Sequence, residues 1–230
     1  MTRTRRDIVA AGAAMVATIA GRASAASVKV FYDGPLAGNR VAQRFYTVPP
    51  FVMPTTKLIG DDGTHVFGEL TGKVRLVPIW AEWCTPCLIE AGDLAMVQQR
   101  YAGPNFDVQS ILSASERRLD LAGARRAFAK MQAESLPLWV EPKGGDKIAC
   151  AFAGNSRTPY SLPCLLLVDR QGVVRGRSQG VGLATVTATD PAQIQAQIQA
   201  AEQHPVHGMT EWWTQDGADF IKAVSTGALD

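Results

Sequence analysis

The sequence predicts an α/β protein: a central mixed β-sheet flanked by helices. Two observations carry that prediction. Short apolar runs bounded by glycine and proline alternate along the chain with longer segments of helical spacing. A seven-residue apolar run, 74–80, also passes almost directly into a helix-like run, 88–101, the strand-to-helix succession of a layered α/β fold. With 230 residues, 47% of them hydrophobic and 19% charged, the chain has core material for one domain with additions.

The first 25 residues read as an export signal rather than as fold. Arg3, Arg5 and Arg6 form a basic start, Ile8–Ala20 is uncharged and alanine-rich, and Ala23-Ser24-Ala25 offers a cleavage site. The segment Thr4-Arg5-Arg6-Asp7-Ile8-Val9 resembles a twin-arginine signal, with an ordinary Sec signal as the alternative. An apolar stretch this short falls below the roughly 20 residues of a membrane span. Membrane attachment is expected only if the segment stays uncleaved. Without it the chain has 19 basic and 20 acidic residues, which excludes electrostatic capture of nucleic acid. Export also places the four cysteines where disulfides persist.

Residues 26–54 read as an N-terminal arm, with a strand over 28–32 and a turn near Gly34-Pro35. A domain over 55–228 follows. Lys57–Phe67 is a hairpin turning at Asp61-Asp62-Gly63. Val74–Trp80 is the central strand, although Pro78 within it has no N–H for a ladder. Leu88–Tyr101 is a helix stopped by Gly103-Pro104, and Phe106–Leu112 the next strand. Leu119, Leu121, Ala124, Phe128 and Met131 give helical spacing over 116–135. A strand at 136–140, a helix at 146–153, a buried strand at 165–168, a turn at 169–172 and a strand at 173–181 complete the core. Residues 183–210 read as an insertion with a helix near 191–203, and 216–224 as the last helix.

The chemistry concentrates in Trp80-Ala-Glu-Trp-Cys-Thr-Pro-Cys87. Cys84 stands where the strand hands over to the helix, and free N–H groups and the helix dipole favour a thiolate there. Cys87 lies one turn on, within reach of a disulfide with Cys84. Pro86 costs little in a first turn. Glu90, three residues beyond Cys87, shares its helix face. Cys150 and Cys164 are left as a possible second disulfide or as two inert thiols. His204, His207 and Met209 offer donors suited to copper, but read more simply as a polar loop, so neither a metal nor a cofactor is assigned.

These motifs, together with Leu70-Thr71-Gly72-Lys73-Val74, Gly103-Pro104-Asn105-Phe106, Ser161-Leu162-Pro163 and Glu211-Trp212, make the chain resemble the exported TlpA/ResA-like thiol–disulfide oxidoreductases of the thioredoxin superfamily. The resemblance implies a thioredoxin-like fold, with Cys84 as attacking thiol, Cys87 as resolving thiol and Pro163 as a cis-proline facing them. It also implies Glu90 as the carboxylate beside the dithiol. Trp83, Thr85, Pro86 and Leu162 would shape the partner-binding groove. Implied partners are thiols and disulfides of exported proteins, in cytochrome c or copper-centre maturation, and a membrane thiol electron carrier. Two positions depart from the wider family. Pro78 stands six residues before Cys84, where cytoplasmic thioredoxins have an aspartate, and Cys164 follows the cis-proline where threonine is common. A Sco-like copper chaperone or a peroxiredoxin-like peroxidase would share the fold. The tight Cys-x-x-Cys spacing argues against the first, and the setting of Cys84 against the second.

Overall fold

The computed structural model describes residues 29–31, 33–48, 53–154, 160–182, 208 and 210–229. The signal segment, the helix expected near 191–203 and the histidines at 204 and 207 lie outside the described residues.

Eight strands form one mixed sheet: β1 Leu58–Gly60, β2 Gly63–His65, β3 Val74–Trp80, β4 Phe106–Val108, β5 Ser110–Leu112, β6 Leu138–Val140, β7 Cys164–Val168 and β8 Val174–Gln179. Their order is β2-β1-β6-β5-β3-β7-β8, with β4 also on β3. Strand β3 runs parallel to β4 and β5 and antiparallel to β7. Four helices are described: α1 Thr85–Tyr101, α2 Leu121–Ala129, α3 Lys147–Ala153 and α4 Gln215–Ser225.

Both faces of the sheet are covered, which is why its central strands read as continuous apolar runs. From β3, Val74, Leu76 and Trp80 join one core with α1, α2 and α4, while Val77 and Ile79 join a second with Phe67, Ile148 and Phe152. Strand β7 alternates likewise, Leu165 and Leu167 to the first core, Cys164, Leu166 and Val168 to the second.

Pro78 leaves out one rung of the ladder to the neighbouring strands β4 and β5. The carbonyls of Leu76 and Trp80 accept from Gln109 N–H (2.9 Å) and Ser113 N–H (3.0 Å). Pro78, midway between them, therefore turns its nitrogen the same way. It faces Gln109, between β4 and β5, where the unbroken register of the two strands would call for an N–H from residue 78; proline has none, so one rung of the ladder is missing and the pairing is interrupted there.

Two expectations require correction. The helix over 116–135 shrinks to Leu121–Ala129. Asp120 caps its start by accepting from Gly123 N–H at 2.7 Å, and Arg118 and Gln132, at φ 51° and 53°, bracket it with non-helical backbone. Leu119 and Met131 still pack on the core from outside the helix, which explains the longer periodicity. Of the strand expected at 28–32, the described residues 29–31 show only an isolated bridge from Lys29 to Tyr46.

The N-terminal arm enters the core. Phe31, Leu36, Val41, Ala42 and Phe45 are buried in the first cluster. Phe45 stacks on Phe220 of α4 at 5.3 Å, and Phe31 meets the same ring edge-on at 5.6 Å. Tyr46 pairs with Arg177 through two backbone bonds of 2.9 and 2.8 Å, which covers part of the outer edge of β8.

Candidate active site

Strand β3 delivers the chain to residues 81–84 at the end of the sheet, and α1 carries it away. Cys84 is the N-cap residue of α1, with Pro86 in the first turn. Its sulfur is bonded to Cys87 at 2.04 Å, with the Cα atoms 5.3 Å apart. Cys84 keeps 4% of its surface exposed and Cys87 5%. The pair is therefore more enclosed than a freely standing surface thiol.

The Leu162–Pro163 peptide is cis. Strand β7 starts at the next residue, and Cys164 pairs with Ile79. Continuing that antiparallel register by one residue sets Pro163 across from Trp80, at the end of β3 from which the cysteine loop springs. The Pro163 carbonyl accepts from Gly180 N–H at 3.0 Å. Leu162, half-buried, packs at the margin of both cores.

The rim is held from the side by the loop after β5. Trp83, 41% exposed, donates its indole N–H to the Ala114 carbonyl at 2.8 Å and lies 6.4 Å from the Tyr160 ring. Glu82 Oε1 accepts from Arg117 N–H at 2.6 Å. Thr85 and Pro86 are half-buried beside the disulfide.

Behind the cysteines lies a buried acidic cluster. Glu90 is 2% exposed and Asp93, three residues on, 1%. Glu90 Oε1 accepts from Trp212 Nε1 at 3.1 Å and lies 3.5 Å from Arg44 Nη2. Burial raises the Glu90 carboxyl above its ordinary range and Asp93 adds to this, while Arg44 and Trp212 oppose it. Asp93 accepts from the backbone of Gly208 and Thr210, both at 2.8 Å, and from Trp213 Nε1 at 2.5 Å. It thereby fastens the returning chain to α1.

Sequence reasoning named Glu90 but missed Arg44 and Asp93. The three-residue step from Glu90 to Asp93 was a usable signal for the second. Arg44 comes from a distant segment, and nothing local announces it.

Cys150 and Cys164 are not bonded to each other, which corrects the possible second disulfide. Helix α3 turns Ile148, Ala149, Phe152 and Ala153 inward and leaves Cys150 exposed. Cys164 lies beneath that helix, 3.8 Å from the Phe152 carbonyl. Burial pushes its thiol up to about 12, with Glu90 adding and Arg177 opposing. It is an inert core thiol.

No family model matches the chain. Solved structures that align with it include the exposed lipoprotein thioredoxin Etrx1 of Streptococcus pneumoniae strain TIGR4, 21% identical, over 63% of this chain and 97% of that one, with a TM-score of 0.42. A putative thiol:disulfide interchange protein DsbE from Chlorobium tepidum is 24% identical over 67% and 98%, with a TM-score of 0.42. StoA from Bacillus subtilis is 14% identical over 57% and 91%, also at 0.42. The fold is identified by the molecule's own features: its strand order, the cysteine pair where β3 gives way to α1, and the cis-proline leading into β7 give it a thioredoxin-like fold.

Proposed function

We propose that this protein is an exported thiol–disulfide oxidoreductase of the TlpA/ResA-like kind, acting as a reductase on exported proteins in cytochrome c or copper-centre maturation. The observation that carries the chemistry is the Cys84–Cys87 disulfide at the mouth of α1 beside cis-Pro163. The pathway and the export follow from the motifs of the sequence and from its first 25 residues.

In the reduced protein the Cys84 thiolate attacks one sulfur of a partner disulfide. A Cys84–partner bond forms, the partner's own S–S bond breaks, and its other sulfur leaves as a thiolate that takes a proton from solvent. Cys87 then gives up its proton, with Glu90 as the nearby acceptor, and attacks the Cys84 sulfur. The Cys84–Cys87 bond forms and the second partner sulfur departs as a thiolate. Two electrons pass to the partner, and a membrane thiol carrier restores the dithiol. Trp83, Thr85, Pro86 and Leu162 border the route by which the partner approaches.

A Cys87→Ser variant tests this directly. It stops after the first step and should accumulate a mixed disulfide through Cys84, which peptide mass mapping would identify along with the partner. Insulin reduction should vanish in Cys84→Ser. Reduction that survives this substitution, or peroxidase turnover in its place, would refute the mechanism. A mature N-terminus at Ala26 in the exported fraction supports the signal reading.

A further inference from the structure

Arg44 lies in the N-terminal arm, in a turn of 3-10 helix formed by Ala42–Arg44, yet its guanidinium reaches the back of the dithiol site. Nη2 donates to the Gly180 carbonyl at 2.6 Å and lies 3.5 Å from Glu90 Oε1. Nη1 lies 3.7 Å from Glu211 Oε2. Gly180 in turn holds the Pro163 carbonyl through its N–H. One side chain thus joins the carboxylate behind Cys87 to the loop that carries the cis-proline. On the Gly182 side the packing is tight: a Cβ added there would collide with Glu211 Oε2 and meet Arg44 Nη1 at 2.6 Å. With Gln43, Tyr46, Arg177 and Gln179, Arg44 also lines a cavity of about 460 Å³.

We propose that Arg44 governs when Glu90 carries its charge, so that the N-terminal arm is a working part of the dithiol site. Arg44 is a positioning residue: it acts on the cysteines through Glu90 and through Gly180. The inference rests on the dithiol chemistry proposed above. Among the described residues, the charged and titratable groups around Glu90 and Arg44 enter the balance. Asp93 and Cys87 come from its own helix, Glu211 from the turn before α4, and Cys164 from β7, with Arg177 of β8 acting on Cys164. Arg44 is the counter-charge at Glu90, and it is shared with Glu211. A carboxylate this buried loses its charge without a paired cation.

The test uses the mature full-length chain with its dithiol reduced. The rate of iodoacetamide alkylation at Cys84 and Cys87 is followed against pH, with peptide mapping to assign each site. Wild type should show a step that disappears in Glu90→Gln. Arg44→Met should move that step up by about one pH unit or more, a tenfold change in the ionisation of its carboxylate. Arg44→Gln keeps a donor for Gly180 but not the charge, and should move the step the same way. Arg44→Lys should bring it back. In the Glu90→Gln background Arg44→Gln should add nothing. An unmoved step in folded Arg44→Gln, or a shift that persists without Glu90, overturns the proposal. A wild type that reduces no disulfide yet shows the step and its dependence on Arg44 overturns the function and upholds the arginine's role. An active protein whose profile ignores Arg44 does the reverse.

Discussion

Replacing Asp93 by alanine should unfasten the returning chain from α1. The carboxylate is 1% exposed and receives three N–H donors. Thr210 N–H is buried, and those of Gly208 and Trp213 are partly so. Leaving the Thr210 donor buried without a partner costs about 1–3 kcal/mol, and each of the other two about 0.5–1.5 kcal/mol, since water can replace part of what they lose. The sum is about 2–6 kcal/mol. At about 2–4 °C per kcal/mol for a chain of this size, the melting temperature should fall by roughly 4–24 °C. Thermal unfolding by circular dichroism, with the disulfide oxidised in both proteins, reads this directly. A second readout follows from charge. Asp93 helps to raise the Glu90 carboxyl, so in Asp93→Asn the step in thiol alkylation that depends on Glu90 should move to lower pH. A stability loss below about 1 kcal/mol in Asp93→Ala would mean that these three bonds do not hold the segment, and the reasoning fails.

Further expectations follow from other sites. Because burial raises the Glu90 carboxyl, the unfolded chain releases this proton first as pH rises. The stability linked to it is full below the ordinary carboxyl value of 4.5 and is lost as pH climbs through the raised folded value. Glu90→Gln should therefore gain on wild type in melting temperature as pH increases from 4.5, and a constant difference would refute this. In the oxidised native protein iodoacetamide should label Cys150 alone and leave Cys164 untouched at pH 8, while denaturation should expose two thiols; none would mean a second bridge. Phe45→Ala removes a ring that is 1% exposed and stacked on Phe220, and should cost about 3–5 kcal/mol in urea unfolding. A loss below about 1 kcal/mol would mean that the arm is not part of the core.

What could be read from the sequence was what neighbouring residues decide together. Val74–Trp80, Asp61-Asp62-Gly63 and the cysteine pair each carry a local signal, and each lies where its signal said. Glu90 was legible because one helical turn links it to Cys87. Periodicity overran at 116–135 because Leu119 and Met131 face the core from irregular backbone, which spacing alone cannot distinguish from helix. The arm looked peripheral because its partner ring, Phe220, stands at the opposite end of the chain. Arg44 was invisible for the same reason, since its meaning arises only where Gly180, Glu211 and Glu90 converge on it. Cys150 and Cys164 could be counted but not paired, because pairing depends on which face of a seven-residue helix points outward.

The aromatic triad of Phe31, Phe45 and Phe220 has a consequence for how the molecule is made. Phe31 and Phe45 are synthesised well before Phe220, so the early pair must wait, unsheltered, until α4 emerges. Contacts this distant along the polypeptide slow the search for the native state. A core closed by such a contact cannot be completed until α4 is there to supply the third ring.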